Sequence, residues 1–219
     1  MLLQVQLDPI VFVLAAVALL FVATTVGPLA LLRVRDARET TEDEAAIVSN
    51  LLGPAEFSPA AVRVLDTVGE ASISVTIRGP PGYRYLLVSD YVLETLDPEI
   101  ATPLVAAEVE RARLLYLEYR IAAAAAVLGI ATAMFAGWLD FGDGLFAIAV
   151  AALVLFWFGR RLQFLADRRA GDRVGAATLA DAFEAVADIR GVTPGEASLG
   201  TWVEIQPPLG QRIDRLRER

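Results

Sequence analysis

The sequence predicts a membrane α+β protein: three transmembrane helices with a cytoplasmic, mainly helical domain that contains a small β-hairpin. Three observations predict it. Of 219 residues, 56% are hydrophobic, against about 45 to 50% in ordinary soluble domains. Three apolar runs approach the length needed to cross a bilayer. Between the first and second runs, and again after the third, the composition turns globular, with helix caps and one alternating stretch.

The first run, Pro9 to Leu32, has no charge and counts about 24 residues, enough to cross about 30 Å of hydrocarbon at 1.5 Å per residue. Met1 to Asp8 holds no Arg, unlike the basic start of a cleaved signal peptide, so the run reads as a span that stays. Arg33, Arg35 and Arg38 follow it and place that end in the cytoplasm by the positive-inside rule.

The globular stretch begins with Thr41-x-x-Glu44, a capping box ahead of a helix over 45–52. Ser58-Pro59 reads as the N-cap and first residue of a second helix, reaching about residue 68. Ser72 to Ile77 alternates as a strand does, Gly79-Pro80-Pro81-Gly82 turns, and Tyr83 to Val88 returns as its partner. The turn does not have the spacing of a phosphate loop. Thr102 and Pro103 read as the cap and first residue of a further helix, expected to continue into the second apolar run.

That run, 121–139, counts about 19 residues and the third, 145–158, about 14, with residues 141–144 able to add to it. The outer loops carry Asp8, Asp140 and Asp143, whereas Arg113, Arg120, Arg160 and Arg161 mark inner ends. The predicted organisation is therefore 1–8 outside, spans at 9–32, 121–139 and 145–158, an outer turn at 140–144, and a cytoplasmic domain from 33–120 and 159–219. Within 159–219 the third helix continues to about Ala170, Thr178 caps an amphipathic helix over 179–189 that Gly191 ends, and Pro208 opens a last one.

All nineteen basic residues are Arg, and the net charge is −8. This acidic, Lys-free usage resembles that of salt-loving archaea and argues against nucleic acid as a partner, which asks for a basic face. The lipid bilayer is the partner the composition names. The chain has no His and no Cys, which removes thiol and Ser/His/Asp catalysis and any nitrogen or sulfur zinc site. Carboxylates alone remain, suited to Mg or Ca. Glu110 with Glu118 and Glu108 with Asp167 are the pairs to weigh as ligands, but Glu108 and Glu110 lie two apart on a helix and point away from each other.

Three stretches, taken in order, resemble one family. Leu86 to Ile100 looks like a strand followed by T-D-G-L-L-x-x-L-D-x-x-E-L; Arg160 to Ala170 looks like R-R-x-E-x-x-A-D-x-x-A; and Gln206 to Arg217 looks like H-P-P-x-x-x-R-I-x-x-L. These belong to the HtpX-like and CAAX prenyl endopeptidases, membrane zinc metallopeptidases of the gluzincin group, and the resemblance covers residues 59 to 219. It implies a metallopeptidase-like domain, and it puts Ala107, Arg111 and Gln163 at the three metal-ligand positions, Glu108 at the general base and Asp167 at the acid that steadies a ligand. Gln206 stands where the family's closing His would be. Zinc is expected of the family, but none of these residues is a zinc ligand, so no cofactor is expected here. What the resemblance implies is a pseudopeptidase that binds membrane-protein clients or regulates an active paralogue. The alternatives are an active metalloendopeptidase with unconventional ligands and a small membrane scaffold. Glu108 alone reads as a solvated or salt-bridged carboxylate; with Arg111 three residues on and Asp167 brought near, the guanidinium is expected to hold the two carboxylates together in place of a metal.

Overall fold

The helix over Glu42–Leu52 shows how closely the local sequence sets the domain. The computed structural model describes residues 37–67, 72–191 and 207–219, with positions 11 and 18 besides; the predicted first span at 9–32 and Gln206 lie outside the described residues. Strand β1, Ala37–Arg38, leads into α1, Glu42–Leu52. Thr41 caps it, its hydroxyl accepting from the Glu44 N–H at 3.3 Å while the Glu44 carboxylate accepts from the Thr41 N–H at 2.7 Å. Arg38 grips the same carboxylate with two bonds of 2.7 and 2.6 Å.

Those bonds, led by Arg38 and opposed by burial, hold the Glu44 carboxyl down at about 2, from an ordinary 4.5. A depressed carboxylate stabilises the fold above its unfolded value and ceases to do so as the pH falls towards 2. Glu44→Gln is therefore expected to cost about 1 to 2 kcal/mol at pH 6, since the half-exposed Arg38 is screened by solvent. Melts of both proteins from pH 6 to pH 2 should converge at the acid end; a gap constant with pH contradicts this.

The expected second helix is instead strand β2, Ala61–Leu65. Val62 and Val64 are β-branched and alternate, and the segment pairs in parallel with β4, Tyr85–Ser89, Ala61 opposite Tyr85 and Leu65 opposite Ser89. Sheet pairing overrides the Ser-Pro start signal. Strand β3, Val75–Arg78, forms the expected hairpin with β4, Val75 opposite Val88. Gly79 at φ +103° makes the turn between them, and a Cβ there would lie 2.5 Å from the Tyr83 carbonyl oxygen. Among the described residues the hairpin belongs to a mixed four-stranded sheet of order β1-β2-β4-β3, with β3 at an edge.

A short α2, Asp90–Glu94, leads to α3, Pro98–Arg113. The start at Thr102 is corrected: Asp97 is the cap, accepting from the Glu99 N–H at 2.9 Å, Pro98 opens the helix, and Pro103 sits buried inside it. The same pattern of a capping residue before a proline, Asp97-Pro98, occurs five residues before Thr102-Pro103. Nor does α3 run on into the apolar stretch. Leu115 adopts a left-handed conformation, φ 54° and ψ 37°, and α4, Tyr116–Phe135, starts beyond this elbow.

Helix α5, Phe141–Val174, begins four residues before the predicted span and takes in most of the predicted outer turn. At 34 residues it is about 51 Å long, more than the about 30 Å of a bilayer core, so its second half is free to enter the domain. Helix α4 and α5 are both long and apolar enough to cross a membrane. They pack on each other, but their outer faces bear large apolar side chains such as Phe135, Phe146 and Leu153, over 70% exposed. Water does not favour such a surface, and hydrocarbon does. Gly175, φ +95°, turns the chain directly into α6, Ala176–Ile189, so Thr178 lies within the first turn rather than capping it. Helix α7, Leu209–Arg217, closes the chain beyond Pro208. Helix α3 packs on α1, α5, α6 and β3, and the core gathers around its buried Val105, Ala106 and Val109 with Leu86, Val88, Leu179 and Phe183.

Candidate functional site: an arginine between carboxylates

One face of α3 presents Ala107, Glu108 and Arg111 towards α5, α7 and the free edge of β3. Ala107 is buried and has no polar atom to offer. Glu108 accepts from Arg111 Nη1 at 2.6 Å through Oε2 and from the backbone N–H of Ile77 at 3.3 Å through Oε1. The other arm of the same guanidinium, Nη2, lies 4.0 Å from Asp167 Oδ1. The three residues thus converge, but unevenly: Arg111 hydrogen-bonds Glu108 and makes only a long ion pair with Asp167. Burial pushes the Arg111 guanidinium down, and the Glu108 and Asp167 carboxylates outweigh it, so its protonated form is held more firmly than usual.

Asp167 belongs chiefly to Arg212. Nε and Nη2 of Arg212 donate to Oδ2 and Oδ1, both at 2.7 Å, in a buried two-bond fork, and the same guanidinium stacks on Phe183, 4.2 Å from the ring centre. Arg111, expected to hold Glu108 and Asp167 together by hydrogen bonds, makes one to Glu108 and stands 4.0 Å from Asp167, whose hydrogen bonds come from Arg212. Arg212 is a residue of this site that the sequence reading does not single out, although it stands at the Arg of the closing R-I-x-x-L pattern. One turn before Asp167 on α5, Gln163 is fully buried, and its amide oxygen has no donor among the described residues.

Glu110 faces the other way, as the spacing requires. It is buried with Arg113 at 2.7 Å and Arg173 at 2.8 Å, and Arg113 also donates to the carbonyls of Ala55 and Glu56, each at 2.8 Å. Glu118 pairs with Arg84 at 2.7 Å. These two carboxylates, weighed as joint ligands, each have their own arginine. No short-range pattern in the sequence links Glu118 to Arg84 or Glu110 to Arg173, since both contacts depend on the tertiary fold.

At the positions the resemblance gives to metal ligands, the donor set does not fit zinc. Ala107 has no donor, Arg111 is a cation, and Gln163 offers one neutral amide oxygen where zinc takes imidazole, thiolate or carboxylate. The site's positive charge is that of a guanidinium.

No protein-family model matches the chain, and no curated protein matches it. Among solved structures it is similar to Ste24p of S. mikatae, with a TM-score of 0.62 over 95% of this chain and 14% sequence identity. The chain spans about half the length of that protein, 56% of it. At this identity the likeness is one of architecture: the chain has the fold of Ste24p.

Proposed function

We propose that the chain is a pseudopeptidase, a non-catalytic relative of the HtpX-type and CAAX prenyl endopeptidases that binds membrane-protein segments or regulates an active relative. The observation that carries this reading is Arg111. It lies one helical turn from Ala107, pairs with Glu108 at 2.6 Å, and occupies with its own charge the space between Glu108 and Asp167. Glu108 is then bound on both oxygens and is not free to polarise a water molecule. Among the described residues the outer side of β3 is unpaired and lies beside this site, where an extended segment of a client would add as a further strand.

A multi-pass topology with the C-terminus in the cytoplasm is part of the proposal. It is supported by Asp140 and Asp143 at the tip of the α4–α5 hairpin and by Arg120, Arg160 and Arg161 at its other end. A second reading, a membrane scaffold with no client groove, is favoured by one contact: Glu108 already takes the Ile77 N–H that a docking strand would need.

The test is the zinc content of the purified protein together with cleavage of an unstructured peptide, each repeated on Glu108→Ala. We expect far less than one zinc per chain and no cleavage above that of the variant. Stoichiometric zinc with cleavage abolished by Glu108→Ala overturns the proposal in favour of an active metalloendopeptidase.

A further inference from the structure

Adjoining this site and sharing Glu108 and Arg111 with it, the chain gathers positive charge in a way its composition does not foreshadow. Between β3, the end of α3 and the first turn of α4 lies a cavity of about 210 Å³ lined by Arg78, Arg84, Arg111 and Arg120 together with Glu108 and Tyr116. Glu108 answers Arg111, and Glu118 answers Arg84. Arg78 and Arg120 make no ion pair or hydrogen bond among the described residues, so the cavity keeps an excess of two positive charges in a chain of net charge −8.

Two further donors are idle there. Tyr116 is 7% exposed, and among the described residues its hydroxyl has no partner and the buried Arg111 Nε has no acceptor. Arg84 is itself buried, donating through Nη1 to the Gly79 carbonyl, so its position is set by the hairpin turn. Burial holds the Arg78 guanidinium below its ordinary value, Glu108 counters this, and Arg120 adds to it. A desolvated pair of cations with unused donors is stabilised by an anion with several oxygens.

The place of the cavity narrows what that anion is. Tyr116 and Arg120 are the first and fifth residues of α4, and the apolar stretch begins at Ile121. If α4 crosses a bilayer, its first turn lies at the depth of the lipid headgroups.

We propose that this cavity is a phospholipid site: the phosphate of an anionic lipid sits between Arg78, Arg120 and the Tyr116 hydroxyl, with its acyl chains along α4. The site requires only that α4 enter the membrane, and it stands whether or not the chain is a pseudopeptidase. The experiment is native mass spectrometry of the full chain, purified in detergent and offered phosphatidylglycerol or phosphatidylcholine with the same acyl chains.

Phosphatidylglycerol is expected to be retained in preference. Arg78→Gln with Arg120→Gln should lower its retention roughly 20- to 30-fold, at about fivefold for each interfacial charge. Tyr116→Phe, which keeps the ring and the fold, should lower it about fivefold through the lost hydrogen bond. Arg169→Gln, an exposed arginine away from the cavity, should leave it unchanged. Equal retention of the two lipids, or a preference that survives both the paired Arg variant and Tyr116→Phe, overturns the proposal. Glycerol 3-phosphate at millimolar concentration should not displace the lipid; if it does so completely, the ligand is a soluble phosphate and the lipid assignment fails.

Discussion

Arg212→Ala is expected to destabilise the folded protein by about 3 to 5 kcal/mol, because it leaves the Asp167 carboxylate buried and without its fork of donors. Asp167 is 3% exposed, and its remaining neighbour of opposite charge, Arg111, stands at 4.0 Å. The loss has a second part, the stacking of the guanidinium on Phe183. Much of the cost is that of an orphaned charge, so it should fall when the charge is removed as well. Asp167→Leu with Arg212→Met is expected to cost less than either single change. Denaturant melts of the three variants in one detergent check this; a double variant as unstable as the two singles summed contradicts it.

Arg111→Ala is expected to cost about 2 to 4 kcal/mol, less than Arg212→Ala because Glu108 keeps the Ile77 N–H and Asp167 keeps Arg212. Arg111 is nonetheless the cation shared by both carboxylates, and its side chain is 22% exposed against 14% for Glu108 and 4% for Asp167. Removing it leaves Glu108 without its ion-pair partner and takes away the cation between the two carboxylates, and like charges in partly desolvated surroundings repel. Arg111→Lys should recover only part of the loss, since an ammonium cannot reach both acids with a planar fork.

Much of the architecture could be read before any coordinates. The capping box at Thr41, the hairpin around Gly79, the long helix through Asp167 and the apolar lengths of α4 and α5 depend on neighbours within a few residues or on composition. The misreadings come from competition between local and distant forces. Ser58-Pro59 signals a helix, but Val62 and Val64 find a parallel partner in β4 that lies over twenty residues away. Thr102-Pro103 has the same form as Asp97-Pro98, and only packing decides which one starts α3. The elbow at Leu115 is a left-handed non-glycine residue, which sequence pattern does not foreshadow.

The candidate site was legible in part for the same reason. Glu108 and Arg111 share a helix face at a spacing of three, and their meeting with Asp167 was suggested by family resemblance, not by spacing. Arg212 stood in the same closing pattern as Gln206, yet its role depends on α7 returning across α5. Arg84 and Arg78 come from the hairpin, so the basic cavity arises wholly from the fold.

The charge relation at the centre of the site is measured most directly by the interaction energy between Glu108 and Arg111. It is obtained from denaturant melts of the wild type, Glu108→Ala, Arg111→Ala and the double variant. If the guanidinium supplies the positive charge that these carboxylates require, the double variant should be less unstable than the two singles summed, by about 1 to 2 kcal/mol. Costs that add to within about 0.5 kcal/mol contradict it.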